Sequence, residues 1–446
     1  MLAMLGLTLA GCGVFDSAEE AVGLGGSSNS ATKLGPAGSL GSVYLGTVAA
    51  DDTQAVDLAR RVLLGGGSAA DAATTVALAL TVTEPGRAGL DGGGVCLVKP
   101  GGAGPVEELD FLPQSVPGGA VPVPGLIRGL AALQGRFGAL HWQQDVSPVE
   151  ALATTGITVT PTLLTDLQAA GLGTGGPGGS PLAVGDVLPQ RAVSATLAQL
   201  RIGGAADFYT GTEGSALVGD GVPGQALANY APSWRPPASL TAGTQRIYFP
   251  QGPAGAAIQA AWQAAQGNAD PAARFAAARA AAFASGQAGI DRPSGSVGFL
   301  VADASGQAVT CAIGMGRPFG TGRTVEPMGF FAAAPFDGAA EASMAPLLST
   351  SVNGNQVTGA VVGAGSYAAP ADAAAIAWSV LAGGRSVGEA VSDPRNPAET
   401  LGTLVTDRVE VLSCPGGLVD QSGSCTVQHD PRGGGYSLHV DTLVKK

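Results

Sequence analysis

The sequence predicts a layered α/β fold, with helices outside and at least partly antiparallel sheets inside. Short apolar runs typical of strands alternate along the chain with segments of helical period. Two such runs, 298–302 and 308–313, flank the turn residues Asp303-Ala-Ser-Gly306, which predicts a hairpin. The 446 residues, 45% of them hydrophobic, suffice for one large domain or two closely joined ones.

Helix ends are the clearest local signals in the first half of the chain. Helical period over 52–64 puts apolar residues on one face, and Gly65-Gly-Gly ends that helix. Ser68 caps a second helix that runs through Ala79, with Asp71 as its capping-box partner. The remaining predictions are strands at 43–50, 95–99, 106–111, 246–250, 357–362 and 403–412, helices at 126–137, from Ser147, at 194–202, twice within 254–284 and at 371–381, and a surface loop at 173–187.

Charge and motif content exclude several classes of ligand. With 22 basic and 34 acidic residues the net charge is −12, the opposite of what a nucleic-acid-binding protein needs. The glycine cluster 89–94 precedes a strand instead of a helix, so it is not a dinucleotide loop. None of the three histidines, His141, His429 and His439, is near a Cys or carboxylate cluster in the sequence, which argues against a zinc site. We therefore expect neither a cofactor nor a metal.

The N-terminus predicts export and a lipid anchor. Residues 1–12 form a short apolar segment, too short to span a bilayer, that ends in Leu9-Ala-Gly-Cys12 and resembles a bacterial lipobox. Such a signal implies a diacylglycerol on Cys12, whereas the alternative is an apolar N-terminal helix that merely packs. Residues 13–41, rich in Gly and Ser, are predicted to be a flexible tether. Gly13 follows the Cys where an Asp would retain the protein at the inner membrane, so the outer membrane is favoured.

Four further cysteines are expected to lie in an oxidising compartment if the chain is exported. Cys414 and Cys425 flank a loop-rich hairpin, which favours a disulfide between them. Cys96 and Cys311 lie in strand-like apolar runs and are predicted to be small buried hydrophobic residues.

An ordered series of motifs resembles the gamma-glutamyltransferase family from about Ser42 to the C-terminus. Each motif is weak alone, because glycine clusters are common, but their order and spacing are specific. The matching segments are Gly66-Gly-Ser-Ala-Ala-Asp-Ala-Ala73, Glu84-Pro85, Gly92-Gly-Gly94, Leu109-Asp-Phe111, Val123-Pro-Gly125, Phe137-Gly138, Leu197, Phe208-Tyr-Thr-Gly211, Leu227-Ala-Asn-Tyr230, Phe299 to Val309 and Phe319-Gly-Thr-Gly322.

The resemblance implies an N-terminal-nucleophile hydrolase with an αββα four-layer sandwich. Such a precursor cuts itself before the nucleophile, which implies a large-subunit-like region at 42–295 and a small-subunit-like region at 296–446. The nucleophile position falls on Ser296, and Gly295–Ser296 is a sterically open bond for self-cleavage. The freed α-amine, with a pKa of about 8, would act as the base, so the scarcity of histidine is no objection.

The residues that bind substrate in the family are changed in this chain. The family's arginine clamp falls on Leu112, which cannot replace a bidentate cation. The oxyanion pair falls on Ala364 and Gly365, whose backbone N–H groups can still serve, while Ser343 and the nearby Asp337 are what remain to bind substrate. Other polar positions of the family fall on Gly314, Gly316, Ala333, Ala334, Pro335, Gly338 and Ala342.

Two functions follow from this resemblance. The first is an amide or peptide hydrolase or transferase that uses Ser296 on a more apolar small-molecule or short-peptide substrate. The second is a catalytically inactive envelope protein that binds or scaffolds, which the collective loss of polar groups favours slightly. Self-cleavage at Gly295–Ser296 distinguishes the two.

Overall fold

The computed structural model describes residues 40–116, 121–173, 180–286, 292–395 and 407–445. Val43–Thr442 form one compact unit, and the described residues outside it are 40–42 and 443–445. Cys12, the predicted anchor, and residues 13–39 of the predicted tether lie outside the described residues. Among the described helices, none is long and apolar enough to cross a membrane.

The described elements mix helices and strands throughout the chain. The strands are β1 Leu40–Ala50, β2 Gly93–Lys99, β3 Glu107–Asp110, β4 Ile157–Thr158, β5 Val187–Leu188, β6 Ser233–Arg235, β7 Ala238–Ala242, β8 Gln245–Phe249, β9 Ser296–Asp303, β10 Ala308–Gly314, β11 Ala345–Ser351, β12 Val357–Ala364, β13 Arg408–Ser413, β14 Thr426–Gln428 and β15 Tyr436–Lys445. The α-helices are α1 Thr53–Leu64, α2 Ala69–Thr83, α3 Leu126–Phe137, α4 Trp142–Thr155, α5 Pro161–Ala169, α6 Arg191–Thr210, α7 Thr212–Gly219, α8 Gly224–Asn229, α9 Gly252–Ala265, α10 Pro271–Ala284, α11 Gly338–Ala342, α12 Ala369–Ala377 and α13 Val387–Ser392.

Two large sheets form the centre of the fold. The first has the strand order β15-β1-β9-β10-β2-β3-β6 and the second the order β14-β13-β12-β11-β8-β7. In the first sheet, the pairs β1–β9, β9–β10, β10–β2, β2–β3 and β3–β6 are antiparallel. In the second sheet, all neighbouring strands are antiparallel. The predicted hairpin is present, with β9 and β10 paired from Ala302–Ala308 to Ser296–Gly314.

Apolar side chains divide the molecule into four layers. Val297, Phe299 and Val301 of β9 pack in the core that the first sheet shares with helices such as α1 to α4. The opposite sheet packs its outer face against α9, α10 and α12. Between the sheets, Leu300 and Ala302 belong to the same core as Leu348, Ala360 and Leu412 of the second sheet. This arrangement of helices, two sheets and helices confirms the predicted αββα sandwich.

Some predicted element ends agree with the structure and several do not. Ser68 and Asp71 form the predicted capping box at α2. The helix predicted to start at Ser147 starts at Trp142, because a capping box of His141 and Gln144 begins it earlier and Pro148 lies inside it. Strand β1 starts at Leu40, so the last residues of the predicted tether belong to the first sheet.

The cysteines form two disulfides. Cys414 and Cys425 are bonded, as the loop-rich hairpin predicts. Cys96 and Cys311 are buried in strands, as predicted, but they are also bonded to each other, which the sequence analysis did not predict. They lie directly opposite one another on the antiparallel strands β2 and β10, with Cα atoms 4.1 Å apart, close enough for a disulfide.

Candidate active site

Ser296 is the first residue of β9, and its side chain faces the space between the two sheets because it alternates with Val297. Side chains alternate along a strand, and Val297, Phe299 and Val301 point to the helices. Ser296 therefore shares the inner face with Gly298, whose missing Cβ would meet Val362 of the second sheet at 2.8 Å. The Ser296 side chain is buried, with 1% of its surface exposed.

Two groups hold the Ser296 hydroxyl in place. The backbone N–H of Gly365 donates a hydrogen bond to its Oγ at 3.0 Å. The Oγ atoms of Ser294 and Ser296 are 2.8 Å apart and also share a hydrogen bond. The structure thus brings Ser296 together with Gly365, one of the two residues expected to stabilise an oxyanion, and adds Ser294, which sequence reasoning missed.

The peptide bond before Ser296 is held by neighbouring backbone. The carbonyl oxygen of Gly295 accepts a hydrogen bond from the N–H of Met315 at 2.8 Å. Gly295 has φ of +66°, and a Cβ there would collide with the backbone carbonyl of Arg317. On the other side, Ser294 N–H donates to the carbonyl of Gly365 at 3.0 Å. A donor therefore already points at the carbonyl oxygen that would become negative if Ser296 attacked Gly295.

An apolar cluster occupies the space next to this peptide. It consists of side chains from both sheets and from the segment around α11, namely Val95, Ala312, Phe336, Ala340, Met344, Val362 and Ala364, with Leu112 packed against it. The cluster lies directly beside Ser296. A Cβ on Gly314 would be 2.8 Å from Met344 Cε and 3.1 Å from Ser296 Cβ. Leu112, at the predicted position of the arginine clamp, thus adds hydrocarbon to an already apolar cluster.

The two predicted substrate-binding residues, Asp337 and Ser343, lie at the two ends of α11. Asp337 is exposed, and its carboxylate caps the helix by accepting from the Ala340 N–H at 2.8 Å. Ser343 is buried, and its hydroxyl donates to the carbonyl of Ala340 at 2.7 Å. These hydrogen bonds stay within this helical turn and do not reach Ser296.

Asp91 is a buried acid beside this region that the sequence did not single out. It lies in the glycine cluster before β2, and its Oδ2 accepts a hydrogen bond from the Ala333 N–H at 3.0 Å. Its Oδ1 has no hydrogen-bond partner among the described residues. Burial raises the pKa of Asp91 to about 8, only partly offset by that hydrogen bond. The acid is therefore neutral in the folded protein over most of the physiological range.

Asp91→Asn tests this protonation state. The folded pKa lies above the unfolded one, so the stabilisation is complete below pH 4 and is lost as the pH rises towards 8. Asn keeps an acceptor for Ala333 and does not titrate. We expect the free energy of unfolding of the variant, relative to wild type, to rise by about 2–4 kcal/mol between pH 5 and 8. Urea titrations at both pH values measure this, and Asp420→Asn, at an exposed carboxylate, should show no such trend.

One group of side chains in the described residues has the composition of a metal site. Asp51, Glu410 and His429 are buried and lie close together. His429 thus lies beside carboxylates that are distant from it in the sequence, and its Nδ1 is 3.0 Å from Glu410 Oε1. The residues come from distant parts of the sequence, so their spacing could not reveal the group.

Comparisons with known proteins support the predicted relationship. The family model for gamma-glutamyltranspeptidase matches residues 55–270. The chain is 32% identical over 197 residues to a glutathione hydrolase proenzyme of Bacillus subtilis, covering 37% of this chain and 34% of that protein. It is 31% identical over 251 residues to human glutathione hydrolase 5 proenzyme, covering 47% and 42%. The matched region therefore spans about a third to two-fifths of the length of these relatives.

The fold has a close counterpart among solved structures. Cephalosporin acylase from Bacillus halodurans superimposes with a TM-score of 0.72 and 19% identity, over 92% of this chain and 98% of that one. At that identity the likeness establishes the fold alone. The chain is therefore similar in sequence to gamma-glutamyltranspeptidase over residues 55–270 and has the same fold as cephalosporin acylase.

Proposed function

We propose that the chain is an amide hydrolase that cuts itself between Gly295 and Ser296 and then uses Ser296 as its nucleophile. The observation that carries this proposal is the pair of backbone donors at that bond. Gly365 N–H lies 3.0 Å from the Ser296 Oγ, and Met315 N–H lies 2.8 Å from the Gly295 carbonyl oxygen. The second contact continues the register of β9 against β10, whereas the first is specific to the hydroxyl of Ser296.

Self-cleavage in this geometry would proceed through an ester. Ser296 Oγ attacks the Gly295 carbonyl carbon, and the Oγ–C bond forms as the C–N bond of the peptide breaks. The hydroxyl proton passes to the departing nitrogen, which becomes the α-amine of Ser296. Met315 N–H is placed to stabilise the negative charge that develops on the Gly295 oxygen. Water then hydrolyses the ester, which leaves a carboxylate on Gly295 and a free hydroxyl on Ser296.

The new N-terminus supplies the base for later turnovers. An α-amine has a pKa of about 8, so a useful fraction is unprotonated near neutral pH. Because amine and hydroxyl belong to the same residue, they need no further side chain to bring them together. Ser296 then attacks a substrate amide, and in this proposal the N–H groups of Gly365 and Ala364 stabilise the resulting oxyanion.

The surroundings favour a substrate with an apolar acyl group. A γ-glutamyl group carries an α-carboxylate and an α-amine, and burying either charge without a partner is strongly unfavourable. The apolar cluster around Met344 and Phe336 offers neither charge a partner, and Leu112 stands where the arginine clamp would be. We therefore expect hydrolysis of N-acyl amides with hydrocarbon acyl groups to exceed that of γ-glutamyl amides.

The apolar cluster also supports the second candidate, an inactive binding or scaffolding protein. Ser296 is almost fully buried, and the hydrocarbon beside it fills the space that polar recognition groups occupy in the family. Purified wild-type chain distinguishes the two by intact-mass analysis and N-terminal sequencing. A fragment that begins at Ser296 supports the hydrolase, whereas a single intact chain supports the inactive protein, because the α-amine would never be freed.

Attachment to the cell envelope is part of the same proposal. The lipobox ending at Cys12 motivates it, and two disulfides are consistent with an oxidising compartment such as the periplasm. A lipid on Cys12 would hold the protein at the membrane, with the outer membrane favoured. Cys12→Ser should move it to the soluble fraction of lysed cells, and unchanged fractionation would rule out the anchor.

Ser294→Ala separates self-cleavage from turnover. Ser294 contacts Ser296 across the bond that is to be cut and remains on the other fragment afterwards. We expect the variant to cut itself about tenfold more slowly, the equivalent of one hydrogen bond. Mature enzyme purified after complete cleavage should keep a wild-type kcat, and Ser294→Thr should restore the rate of cleavage. An unchanged rate in the alanine variant would show that the hydroxyl has no positioning role.

A further inference from the structure

Three separate segments of the chain bring Asp51, Glu410 and His429 together at one end of the sheets. Asp51 follows β1, Glu410 belongs to β13, and His429 follows β14. Each can place one ligand atom within 4.8 Å of the other two. Only 2%, 1% and 8% of their respective surfaces are exposed. Neither the proposed hydrolysis nor the self-cleavage uses them.

In each of the three side chains, one polar atom pairs with a neighbouring residue and the other has no hydrogen-bond partner among the described residues. Asp51 Oδ2 pairs with Arg87 Nη1 at 3.0 Å, and Glu410 Oε1 pairs with His429 Nδ1 at 3.0 Å. The remaining atoms, Asp51 Oδ1, Glu410 Oε2 and His429 Nε2, have no hydrogen-bond partner in the part of the chain that the structure describes. Arg408 Nε is 3.7 Å from Asp51 Oδ1, an ionic contact too long for a hydrogen bond.

Three such atoms in one buried place require an explanation. Each buried polar atom left without a partner destabilises the fold, so three of them close together favour a ligand that satisfies them. Two glycines keep the place open. A Cβ on Gly433 would collide with Asp51 Oδ1, and a Cβ on Gly435 would lie 2.7 Å from His429 Cε1. Side chains at these positions would fill the space beside the unpartnered atoms.

We propose that Asp51, Glu410 and His429 bind a divalent transition-metal ion of the zinc class. One imidazole nitrogen and two carboxylate oxygens form a ligand set that zinc accepts, with a fourth position left for water. Magnesium and calcium prefer six or more oxygen ligands, so the imidazole argues against them. The ion would join the end of β1 to β13 and to the segment after β14. This site is independent of the reaction proposed for Ser296.

Metal and proton compete for the imidazole. Zinc binds the imidazole nitrogen only in its unprotonated form, while Arg87 and Arg408, both close to Asp51, oppose a further positive charge. Zinc binding should therefore strengthen as the pH rises.

The test uses full-length protein without a histidine tag, stripped with a chelator. Titration with Zn²⁺ against a chromophoric indicator should give one ion per chain, and Mg²⁺ at the same concentration should not compete. Glu410→Gln and His429→Gln, which preserve side-chain size, should each weaken Zn²⁺ binding at least thirtyfold. His141→Gln, at an exposed histidine, is the matched control and should bind as wild type does.

Two measurements on wild-type protein keep the result decisive if a variant fails to fold. Zn²⁺ should raise the melting temperature, and X-ray absorption should show nitrogen and oxygen ligands without sulfur. Absence of stoichiometric binding by the wild type, sulfur in the coordination shell, or equal affinity in the folded variants would each overturn the proposal. Loss of binding in His141→Gln alone would place the ion elsewhere and would overturn it too.

Discussion

Ser296→Ala is expected to leave the chain in one piece, whereas wild type separates into two fragments that meet at Gly295 and Ser296. The alanine keeps the strand start and lacks the oxygen that attacks the Gly295 carbonyl. The two backbone donors at this bond stabilise charge only when an attacking oxygen exists, so they cannot rescue the variant. We expect no detectable self-cleavage and no detectable hydrolysis. Intact mass after days of incubation measures the self-cleavage.

Three further variants make this result specific. Ser296→Thr restores a hydroxyl at the same position and should cut itself, though its extra methyl group must fit beside Gly314 and Met344. Ser233→Ala, at an exposed serine of β6, is the matched control and should cut itself like wild type. Gly295→Ala should block cleavage with Ser296 intact, because its Cβ collides with the backbone at Arg317. Fragments that persist in Ser296→Ala would assign the cut to a contaminating protease.

Local signals made much of the fold predictable from sequence. The Ser68–Asp71 capping box, the hairpin around Asp303 and the helix 126–137 each depend on residues within a few positions of one another. The order of motifs also predicted the sandwich and placed the predicted nucleophile at Ser296. The local predictions, namely the capping box, the hairpin and the helix, succeeded because helix caps, turns and period-2 alternation are set by neighbouring residues.

Features that depend on contacts between distant residues escaped sequence reasoning. The Cys96–Cys311 bond requires the register of β2 against β10, which are separated by 215 residues. The contact of His429 with Glu410 and Asp51 likewise exists only once three segments have assembled. For the same reason Asp91 looked like one residue of a glycine turn, although burial raises its pKa to about 8. Spacing along the chain contains no information about such partners.

Arg395→Met is expected to lower the free energy of unfolding by about 3–5 kcal/mol, the usual result of removing one partner from a buried ion pair. Arg395 donates to Asp407 at 2.8 Å and also pairs with Asp430, and all three side chains are fully buried. Without the guanidinium, the Asp407 carboxylate would remain beside Asp372, another buried acid. Burial raises the pKa of Asp372 well above its usual range, so Asp407 is the acid that would be left as a carboxylate without its buried arginine partner.

The comparison with an exposed pair makes the magnitude informative. Arg60 binds Asp57 at 2.8 Å on the surface of α1, where both side chains are more than a third exposed. Arg60→Met makes the same chemical change and should cost less than about 1 kcal/mol, since solvent screens the pair. Urea unfolding at pH 7 measures both. A loss below about 1 kcal/mol for Arg395→Met would mean that water or another cation reaches Asp407, contrary to its complete burial. Part of the loss should return as the pH falls, because protonation of Asp407 then removes the buried charge that has lost its arginine partner.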